Sequence, residues 1–314
     1  MIPFEDLPVE VVYPYAILLG LFGASFINVV IYRLPRGMSL VRPGSRCAAC
    51  GTPVRFYDNI PVVSYLLLRG RARCCRARIS PRYLAVELIG GLLAWAILQK
   101  LVLRLPSDTS IGRVLAIFTA ELAFALALVA VAFIDLEHMY VPDAISVGGT
   151  VFGIATVSLR PEIDLKDALL GAAVGFGIVW LPFGVLYKVI RGRTGMGLGD
   201  AKLLMMAGAW FGWTGAVFAL LAGAVQGTVA AVILLLVHGR IEEPAGVMAE
   251  KRETETALAQ LSPEERAAAE AELAKDPLYE ASSSSSLGLA RIAFGPFLVL
   301  AMLEYLLIGR DWVG

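Results

Sequence analysis

Two aspartates, Asp135 and Asp200, border long apolar segments of the sequence. Asp135 directly follows Phe133-Ile134 at the end of one apolar run, and Asp200 directly precedes Ala201 at the start of another. Because a charged group at membrane depth is costly, a carboxylate in such a position indicates a functional site. Two carboxylates at one depth can share a proton, one acting as base towards water and the other as acid towards a carbonyl oxygen. The pair therefore predicts acid–base hydrolysis with both aspartates as catalytic residues.

A glycine-rich stretch precedes the second aspartate. Gly195, Gly197 and Gly199 alternate with other residues before Asp200, and Lys202 follows. Glycine lets the backbone approach a neighbour closely and adopt positive φ. We therefore expect these glycines and the lysine to support a bare loop that presents Asp200 beside a substrate backbone. In the alternative interpretation Asp200 only caps the following helix, and the other aspartate is an interfacial carboxylate at a helix end.

The elements that must position these groups are apolar segments of membrane-spanning length. The 314 residues are 58% hydrophobic and 17% charged, whereas soluble domains are about 45–50% apolar and 25% charged. Most runs have the length of about 20 residues that a helix needs to cross a hydrocarbon core. We predict an all-α polytopic membrane protein, with a turn at 212–215 between its sixth and seventh spans. About eight transmembrane helices are expected, at 11–31, 84–103, 114–134, 144–159, 168–190, 201–215, 216–237 and 289–308.

Charged residues are distributed unevenly along the chain. The segment 33–82 holds eleven arginines and one acidic residue, whereas 241–288 holds eleven acidic residues and four basic ones. Because short basic loops stay in the cytoplasm, we expect the arginine-rich segment and both aspartates on the cytoplasmic side. A nucleic-acid surface is excluded, because few aromatic residues are interleaved with the arginines. The predicted domains are a first transmembrane helix (1–33), a cytoplasmic Arg/Cys-rich domain (34–82), a transmembrane catalytic core (83–240), an acidic cytoplasmic insertion (241–288) and a last transmembrane helix (289–314).

The four cysteines, Cys47, Cys50, Cys74 and Cys75, all lie in the arginine-rich segment. Four thiolates so close in sequence suit tetrahedral ligation of Zn²⁺, and we predict that they bind this ion. We expect the neighbouring arginines to lower the pKa of the thiols. Adjacent cysteines must strain to bind a single ion, so a reduced cluster of structural thiols is the alternative.

Further motifs follow one another in a fixed order. They are Gly23-Ala24-Ser25-Phe26-Ile27-Asn28, Tyr57-Asp58-Asn59-Ile60-Pro61, Ile79-Ser80-Pro81-Arg82-Tyr83, Glu87, Pro142-Asp143, Gly197-Leu198-Gly199-Asp200-Ala201-Lys202 and Phe294-Gly295-Pro296-Phe297. With Asp135 among them, this series resembles the type IV prepilin peptidases, which are membrane aspartic proteases of the GxGD type. The resemblance implies that Asp135 and Asp200 cleave the leader from type IV prepilins or type II secretion pseudopilins. It also implies a multi-pass protein of the bacterial inner membrane with its active site facing the cytoplasm.

The resemblance implies a second activity and a metal site. Family members with the N-terminal cytoplasmic block also methylate the new N-terminus with S-adenosylmethionine, and Glu87 is a candidate for binding this cofactor. The alternative for Glu87 is an interfacial carboxylate. The family's usual pattern is two CxxC pairs in a zinc-ribbon arrangement, which implies a small zinc-ribbon-like cytoplasmic domain, but Ala72 here replaces one cysteine of the second pair. Cys75 matches a family ligand, and Cys74 is the candidate substitute for the missing one.

Two other classes of membrane protein share some of these features. A membrane thiol oxidoreductase also has several spans and four cysteines, but its thiols require an oxidising compartment. A proton-coupled transporter uses intramembrane carboxylates, but it typically shows an internal repeat with interrupted helices, which this sequence lacks. We therefore favour the peptidase, with prepilins and the lipid bilayer as its partners.

Overall fold

The computed structural model describes residues 8–186, 197–238, 248, 252, 254, 256–259, 261–273 and 293–309. Gly195, which the sequence analysis assigned to the loop before Asp200, lies outside these residues, as does much of the acidic insertion. The described part is helical and contains no strand, apart from two isolated β-bridges. Its helices are α1 (Val9–Arg33), α2 (Val63–Leu67), α3 (Pro81–Lys100), α4 (Ile111–His138), α5 (Asp143–Ala155), α6 (Leu165–Val179), α7 (Leu198–His238), α8 (Pro263–Leu273) and α9 (Gly295–Leu307).

The helices follow the predicted membrane spans closely. Five segments of the described chain are long and apolar enough to cross a membrane: Glu10–Arg33, Pro81–Arg104, Ile111–His138, Leu165–Leu186 and Leu198–Val237. The last of these breaks at Gly212, with φ 72° and ψ −178°, where the turn between the sixth and seventh spans was predicted. Helices α5 and α9 have 13 residues each, about 20 Å of helix against a core of about 30 Å. The all-α polytopic fold is confirmed, and the number of eight spans stays a prediction.

Glycines allow two pairs of helices to pack with their backbones almost in contact. On α6 and α7, a side chain at Gly171 or Gly208 would overlap the backbone of the opposite helix. On α1 and α3, a side chain at Gly20 or Gly90 would overlap the other helix in the same way. Small residues at helix interfaces are the usual means of close packing in membranes, where apolar side chains gain little from leaving lipid.

Helix α4 is the central helix of the described bundle. Within its most apolar window 72% of residues are buried, against 44% or less in the other four spanning segments. Its Phe124 stacks on Trp210 of α7 with ring centroids 3.9 Å apart. The helix ends where Met139 adopts a left-handed conformation (φ 50°, ψ 41°), and its N–H bonds to the carbonyl oxygen of Asp135. This ending places Asp135 in the last helical turn of the most buried helix.

Candidate functional site

The structure brings the two predicted catalytic aspartates together. Asp135 lies near the end of α4 and is 6% exposed, and Asp200 lies in the first turn of α7. Their carboxylates are close enough to interact electrostatically. Asp200 is the third residue of its helix, so it is not the residue that caps it. This position rules out the purely capping interpretation, because the cap precedes the first helical residue.

A third helix holds the carboxylate of Asp135. The backbone N–H of Gly295, the first residue of α9, donates a hydrogen bond of 2.9 Å to Asp135 Oδ2. A Cβ on Gly295 would lie 2.6 Å from that oxygen, so only glycine fits at this position. The positive end of the α9 helix dipole also faces the carboxylate, which stabilises negative charge on it. Sequence reasoning assigned no role to this glycine, although the motif Phe294-Gly295-Pro296-Phe297 was its signal.

The segment between α4 and α5 packs against the start of α7. A Cβ on Gly199 would lie 2.9 Å from Cβ of Val141, so this glycine allows the two segments to touch. Lys202 Nζ bonds to both carboxylate oxygens of Asp143, at 2.7 and 2.8 Å. The ion pair joins the first turns of α5 and α7. Gly199 and Lys202 therefore position the helix that carries Asp200.

The expectation of a bare glycine loop is partly wrong. Gly197 and Gly199 are absent from the described residues with positive φ, and Gly199 already belongs to α7. A Cβ on Gly197 would make only an ordinary contact, 3.9 Å from Asp200 Oδ2. Of the two glycines, only Gly199 is required by close packing, and Asp200 projects from a helix instead of a loop.

Another contact that the sequence did not predict joins the first half of the chain to the aspartate pair. Arg82, in the first turn of α3, forms an ion pair with Glu137. Glu137 lies two residues after Asp135 on α4. Both side chains are part-buried, so the pair is shielded from solvent more than a surface ion pair is. The start of α3 is thereby tied to the end of α4 that carries the site.

The four cysteines converge as the sequence predicted. Their Sγ atoms all lie within 4.8 Å of one another. Cys47 and Cys75 are 3.7 Å apart, and Cys50 and Cys74 are 3.3 Å apart. Zn–S bonds of about 2.3 Å in a tetrahedron put the sulfurs about 3.8 Å apart. The arrangement fits one tetrahedral ion after only small side-chain adjustments.

Two backbone turns carry these cysteines, and they share one hydrogen-bond pattern. In the first turn, Cys47 N–H bonds to Thr52 O (2.9 Å) and Gly51 N–H bonds to Cys47 O (2.8 Å). In the second, Ala72 N–H bonds to Ala77 O (2.8 Å) and Arg76 N–H bonds to Ala72 O (2.9 Å). An isolated antiparallel bridge flanks each turn, Arg46 with Pro53 and Arg71 with Arg78. Ala72 therefore occupies the place of Cys47, and Cys75 the place of Cys50, as the alignment of the motifs predicted.

Hydrogen bonds, and not arginines as expected, set the pKa values of the thiols. Bonds from the backbone at Cys50 and Ala49 lower the pKa of Cys47. Bonds with the side chain and backbone of Thr52 lower the pKa of Cys50 to about 6. The bond to Cys50 raises the pKa of the Cys74 thiol to about 12. Since thiolates are the zinc-binding form, the first turn is prepared to bind the metal, and the metal itself must displace the proton of Cys74.

Glu87 lies in a different place from the aspartate pair. Its side chain is buried on α3, and its Oε2 accepts a hydrogen bond of 2.7 Å from the N–H of Val62. It lines a cavity between α1, α3 and the cysteine-bearing segment, and neither Asp135 nor Asp200 is among the residues lining that cavity. The described residues thus contain two chemically distinct regions, one with the two aspartates and one with Glu87.

Comparisons with known proteins agree with this division. A family model described as the bacterial peptidase A24 N-terminal domain matches residues 18–101, which include the cysteines and Glu87. A model described as the type IV leader peptidase family matches residues 122–232, which include Asp135 and Asp200. No solved structure matches the chain at a significant level.

Curated relatives carry one shared name, prepilin leader peptidase/N-methyltransferase. The protein from Myxococcus xanthus is 40% identical over 244 residues, covering 74% of this chain and 68% of the relative. The protein from Neisseria gonorrhoeae is 34% identical and covers 72% of this chain and 84% of the relative. The protein from Pseudomonas putida is 36% identical and covers 71% of this chain and 81% of the relative. These relatives are neither transporters nor thiol oxidoreductases, and this chain, a multi-pass membrane enzyme, belongs to the type IV leader peptidase family.

Proposed function

We propose that this chain cleaves the leader from type IV prepilins or type II secretion pseudopilins, with Asp135 and Asp200 as its catalytic residues. The observation that carries this proposal is the meeting of the two carboxylates at the ends of α4 and α7. A buried carboxylate pair with one shared proton supplies both the base and the acid that peptide hydrolysis needs. The names of the relatives supply the substrate class.

The contacts of the two aspartates support different roles for them in this proposal. The hydrogen bond from Gly295 and the dipole of α9 favour the charged form of Asp135. Asp135 is therefore the base that takes a proton from the attacking water, and Asp200 carries the shared proton. Asp200 gives this proton to the carbonyl oxygen of the scissile peptide as the water oxygen bonds to its carbon. The tetrahedral intermediate then collapses: the proton held by Asp135 goes to the leaving amine, and one hydroxyl of the intermediate returns its proton to Asp200 as the carbonyl forms again.

The arginine-rich segment supports a cytoplasmic location for this chemistry. Eleven arginines between 33 and 82 favour retention of that segment in the cytoplasm. The Arg82–Glu137 ion pair joins this segment to the end of α4 that carries Asp135. We therefore place the aspartate pair at the cytoplasmic boundary of the bacterial inner membrane, where the leader of a prepilin is accessible.

The same chain methylates the new N-terminus in this proposal. S-adenosylmethionine supplies the methyl group as a good electrophile when it is bound. The region of Glu87 supports this part of the proposal, because it is separate from the aspartate pair and falls within the N-terminal family match. The two activities then use different residues of one chain.

The cysteines are proposed to hold one structural Zn²⁺. Four converging sulfur atoms with the spacing of a tetrahedron fit this ion and leave no position open for substrate. Cys47, Cys50 and Cys75 are ligands from matching turn positions, and Cys74 supplies the sulfur that Ala72 lacks. The metal would join two turns, each of which is closed by one isolated β-bridge of its own.

The peptidase is tested by incubating detergent-solubilised protein with a leader-bearing prepilin and weighing both products. The expected products are the free leader and the mature pilin. Asp135→Asn and Asp200→Asn should each lower the cleavage rate by orders of magnitude, because a carboxamide neither holds the shared proton nor activates water. Glu10→Gln, a conservative change at an exposed residue near the start of α1, is the control and should cleave normally. Near-native cleavage by either aspartate variant would remove the pair from the mechanism.

A further inference from the structure

A cavity of about 620 Å³ lies between the cysteine-bearing segment and helices α1 and α3. The lining from the membrane helices includes Asn28 and Tyr32 of α1 and Tyr83 and Glu87 of α3, while Gly44 and Tyr65 line it from the cytoplasmic segment. Small-molecule sites typically have about 300–1,000 Å³ and a few polar groups on an apolar lining. The cavity is therefore suited to a molecule the size of a nucleoside cofactor.

Asn28 presents a buried polar atom without a partner to this cavity. The residue is 2% exposed, and its Nδ2 donates to the carbonyl oxygen of Tyr83 at 3.1 Å. This bond fixes the amide, and its Oδ1 has no hydrogen-bond partner in the described structure. A buried acceptor without a donor costs free energy comparable to a lost hydrogen bond. Asn28, which lines the cavity, therefore has an acceptor available for a ligand with a hydrogen-bond donor.

Glu87 places a carboxylate in the same cavity, on the neighbouring helix. Its Oε2 accepts the N–H of Val62 at 2.7 Å. Val62 has φ 62° and ψ −52°, a conformation that a β-branched residue adopts only under strain. Strained backbone is concentrated at ligand-binding and catalytic sites, where surrounding contacts enforce it. The strained backbone of Val62 directs its N–H towards Glu87, and this hydrogen bond fixes the carboxylate.

We propose that this cavity is the S-adenosylmethionine site of the chain and that Glu87 binds the positive sulfonium. The inference rests on the methylation included in the proposed function. A fixed carboxylate attracts a cation, and Tyr65, which also lines the cavity, supplies an aromatic ring for contact with the adenine. Asn28 Oδ1 accepts a hydrogen bond from a polar group of the cofactor.

Methyl transfer in this site needs no reactant other than S-adenosylmethionine and the amine of the mature pilin. The neutral amine of the mature N-terminus attacks the methyl carbon, so that a C–N bond forms as the C–S bond breaks. The sulfur keeps the electron pair and leaves as the neutral thioether of S-adenosylhomocysteine. The amine loses one proton to solvent. Because the positive charge on sulfur disappears in this step, Glu87 attracts the donor more strongly than the product, which favours product release.

The test compares the binding of S-adenosylmethionine with that of S-adenosylhomocysteine, since only the first carries the sulfonium charge. Both are measured by equilibrium dialysis against the solubilised full chain. Glu87→Gln keeps an acceptor for Val62 N–H but removes the charge, so it should raise the Kd for S-adenosylmethionine about tenfold or more. Its Kd for S-adenosylhomocysteine should change by less than about twofold. Glu10→Gln is the matched control and should leave both affinities unchanged.

A second variant tests the cavity by filling it. Gly44 lines the cavity, and a Cβ there would meet nothing within 4 Å, so Gly44→Leu adds a large side chain at the cavity wall and should weaken the binding of both molecules. Gly112→Leu adds the same side chain at another open position and is the control for size. Prepilin cleavage by each preparation shows that the variant is folded.

Three results would overturn the proposal in distinguishable ways. If Glu87→Gln keeps the wild-type preference for S-adenosylmethionine, Glu87 does not bind the sulfonium. If Gly44→Leu binds both molecules as the wild type does while the wild type methylates pilin, the cofactor site lies elsewhere. If the wild type cleaves prepilin but neither binds S-adenosylmethionine nor methylates, the methylation part of the proposed function fails together with this site.

Discussion

The carboxylate of Asp135 accepts its hydrogen bond from the N–H of Gly295, a residue 160 positions further along the chain. This contact joins the last turn of α4 to the first turn of α9. It holds one member of the aspartate pair in place without using any side chain of α9. The contact therefore depends on the packing of α9 against α4 and on the absence of a side chain at 295.

Gly295→Ala should lower the rate of prepilin cleavage by about one to two orders of magnitude, the scale of a misplaced catalytic group. The added Cβ would lie 2.6 Å from Asp135 Oδ2 and must push either the carboxylate or α9 aside. The measurement is kcat/KM for cleavage. Gly112→Ala is the control, because a Cβ there meets nothing within 4 Å. Unchanged cleavage by Gly295→Ala would show that the contact with Asp135 is not needed.

The cysteine site should hold about one Zn²⁺ per chain in elemental analysis of protein purified without chelator. Cys47→Ser and Cys50→Ser should release the metal, while cleavage partly survives because the aspartates lie on other helices. Cys74→Ser should release it as well. Retention of zinc in Cys74→Ser would show that this thiol is not a ligand.

The matching turns allow a gain-of-function version of the same test. Ala72 occupies the place that Cys47 has in the first turn. The double change Ala72→Cys with Cys74→Ala should therefore restore zinc binding that Cys74→Ala alone removes. Failure of the double variant to bind zinc would contradict the equivalence of the two turns.

The ion pair between Asp58 and Arg73 should make stability depend on pH on the acidic side. Arg73 donates to both oxygens of Asp58 at 2.8–3.0 Å, and these hydrogen bonds lower the pKa of Asp58. A carboxyl whose pKa is lower when folded stabilises the fold above its unfolded pKa of about 3.9. The contribution disappears as the pH falls through the lower, folded pKa.

Arg73→Gln tests this dependence. The Tm of the variant should be lower than that of the wild type at neutral pH, and the two values should converge at strongly acidic pH. The difference at neutral pH should be modest, because half of the Arg73 side chain is exposed. A difference in Tm that stays constant down to strongly acidic pH would mean that Arg73 acts through packing and not through the charge of Asp58.

The two proposed activities should be separable. Asp200→Asn should still methylate a pilin that is supplied in mature form, because its N-terminus is then a free amine and no peptide bond needs to be hydrolysed. The assay offers mature, unmethylated pilin with S-adenosylmethionine and follows the mass increase of one methyl group. Glu87→Gln should give the converse result, with cleavage retained and methylation lowered. Loss of methylation in folded Asp200→Asn would require one shared site.

The sequence alone predicted the helical class, the break at Gly212 and the convergence of the cysteines. These features depend on local signals, namely apolar length, a glycine at a turn and the spacing of thiols. Membrane depth predicted that Asp135 and Asp200 lie at one boundary, whereas their lateral approach depends on how the helices that carry them pack.

Contacts between segments that are distant along the chain could not be predicted from the sequence. Nothing in the motif that contains Gly295 indicates that its N–H meets Asp135, because this depends on how α9 packs against α4. The same holds for the Arg82–Glu137 ion pair and for the orphaned oxygen of Asn28. The loop expected before Asp200 was partly wrong because Gly199 is required by contact with Val141, which no local pattern reveals.

The position of α9 late in the chain has a consequence for synthesis. At about 5–20 residues per second, a ribosome needs on the order of ten to thirty seconds to go from Asp135 to Gly295. Once Asp200 has been made within that interval, both aspartates exist, but the Gly295 amide that orients Asp135 does not. The arrangement of the two carboxylates is therefore complete only after α9 has been synthesised and has packed against the end of α4.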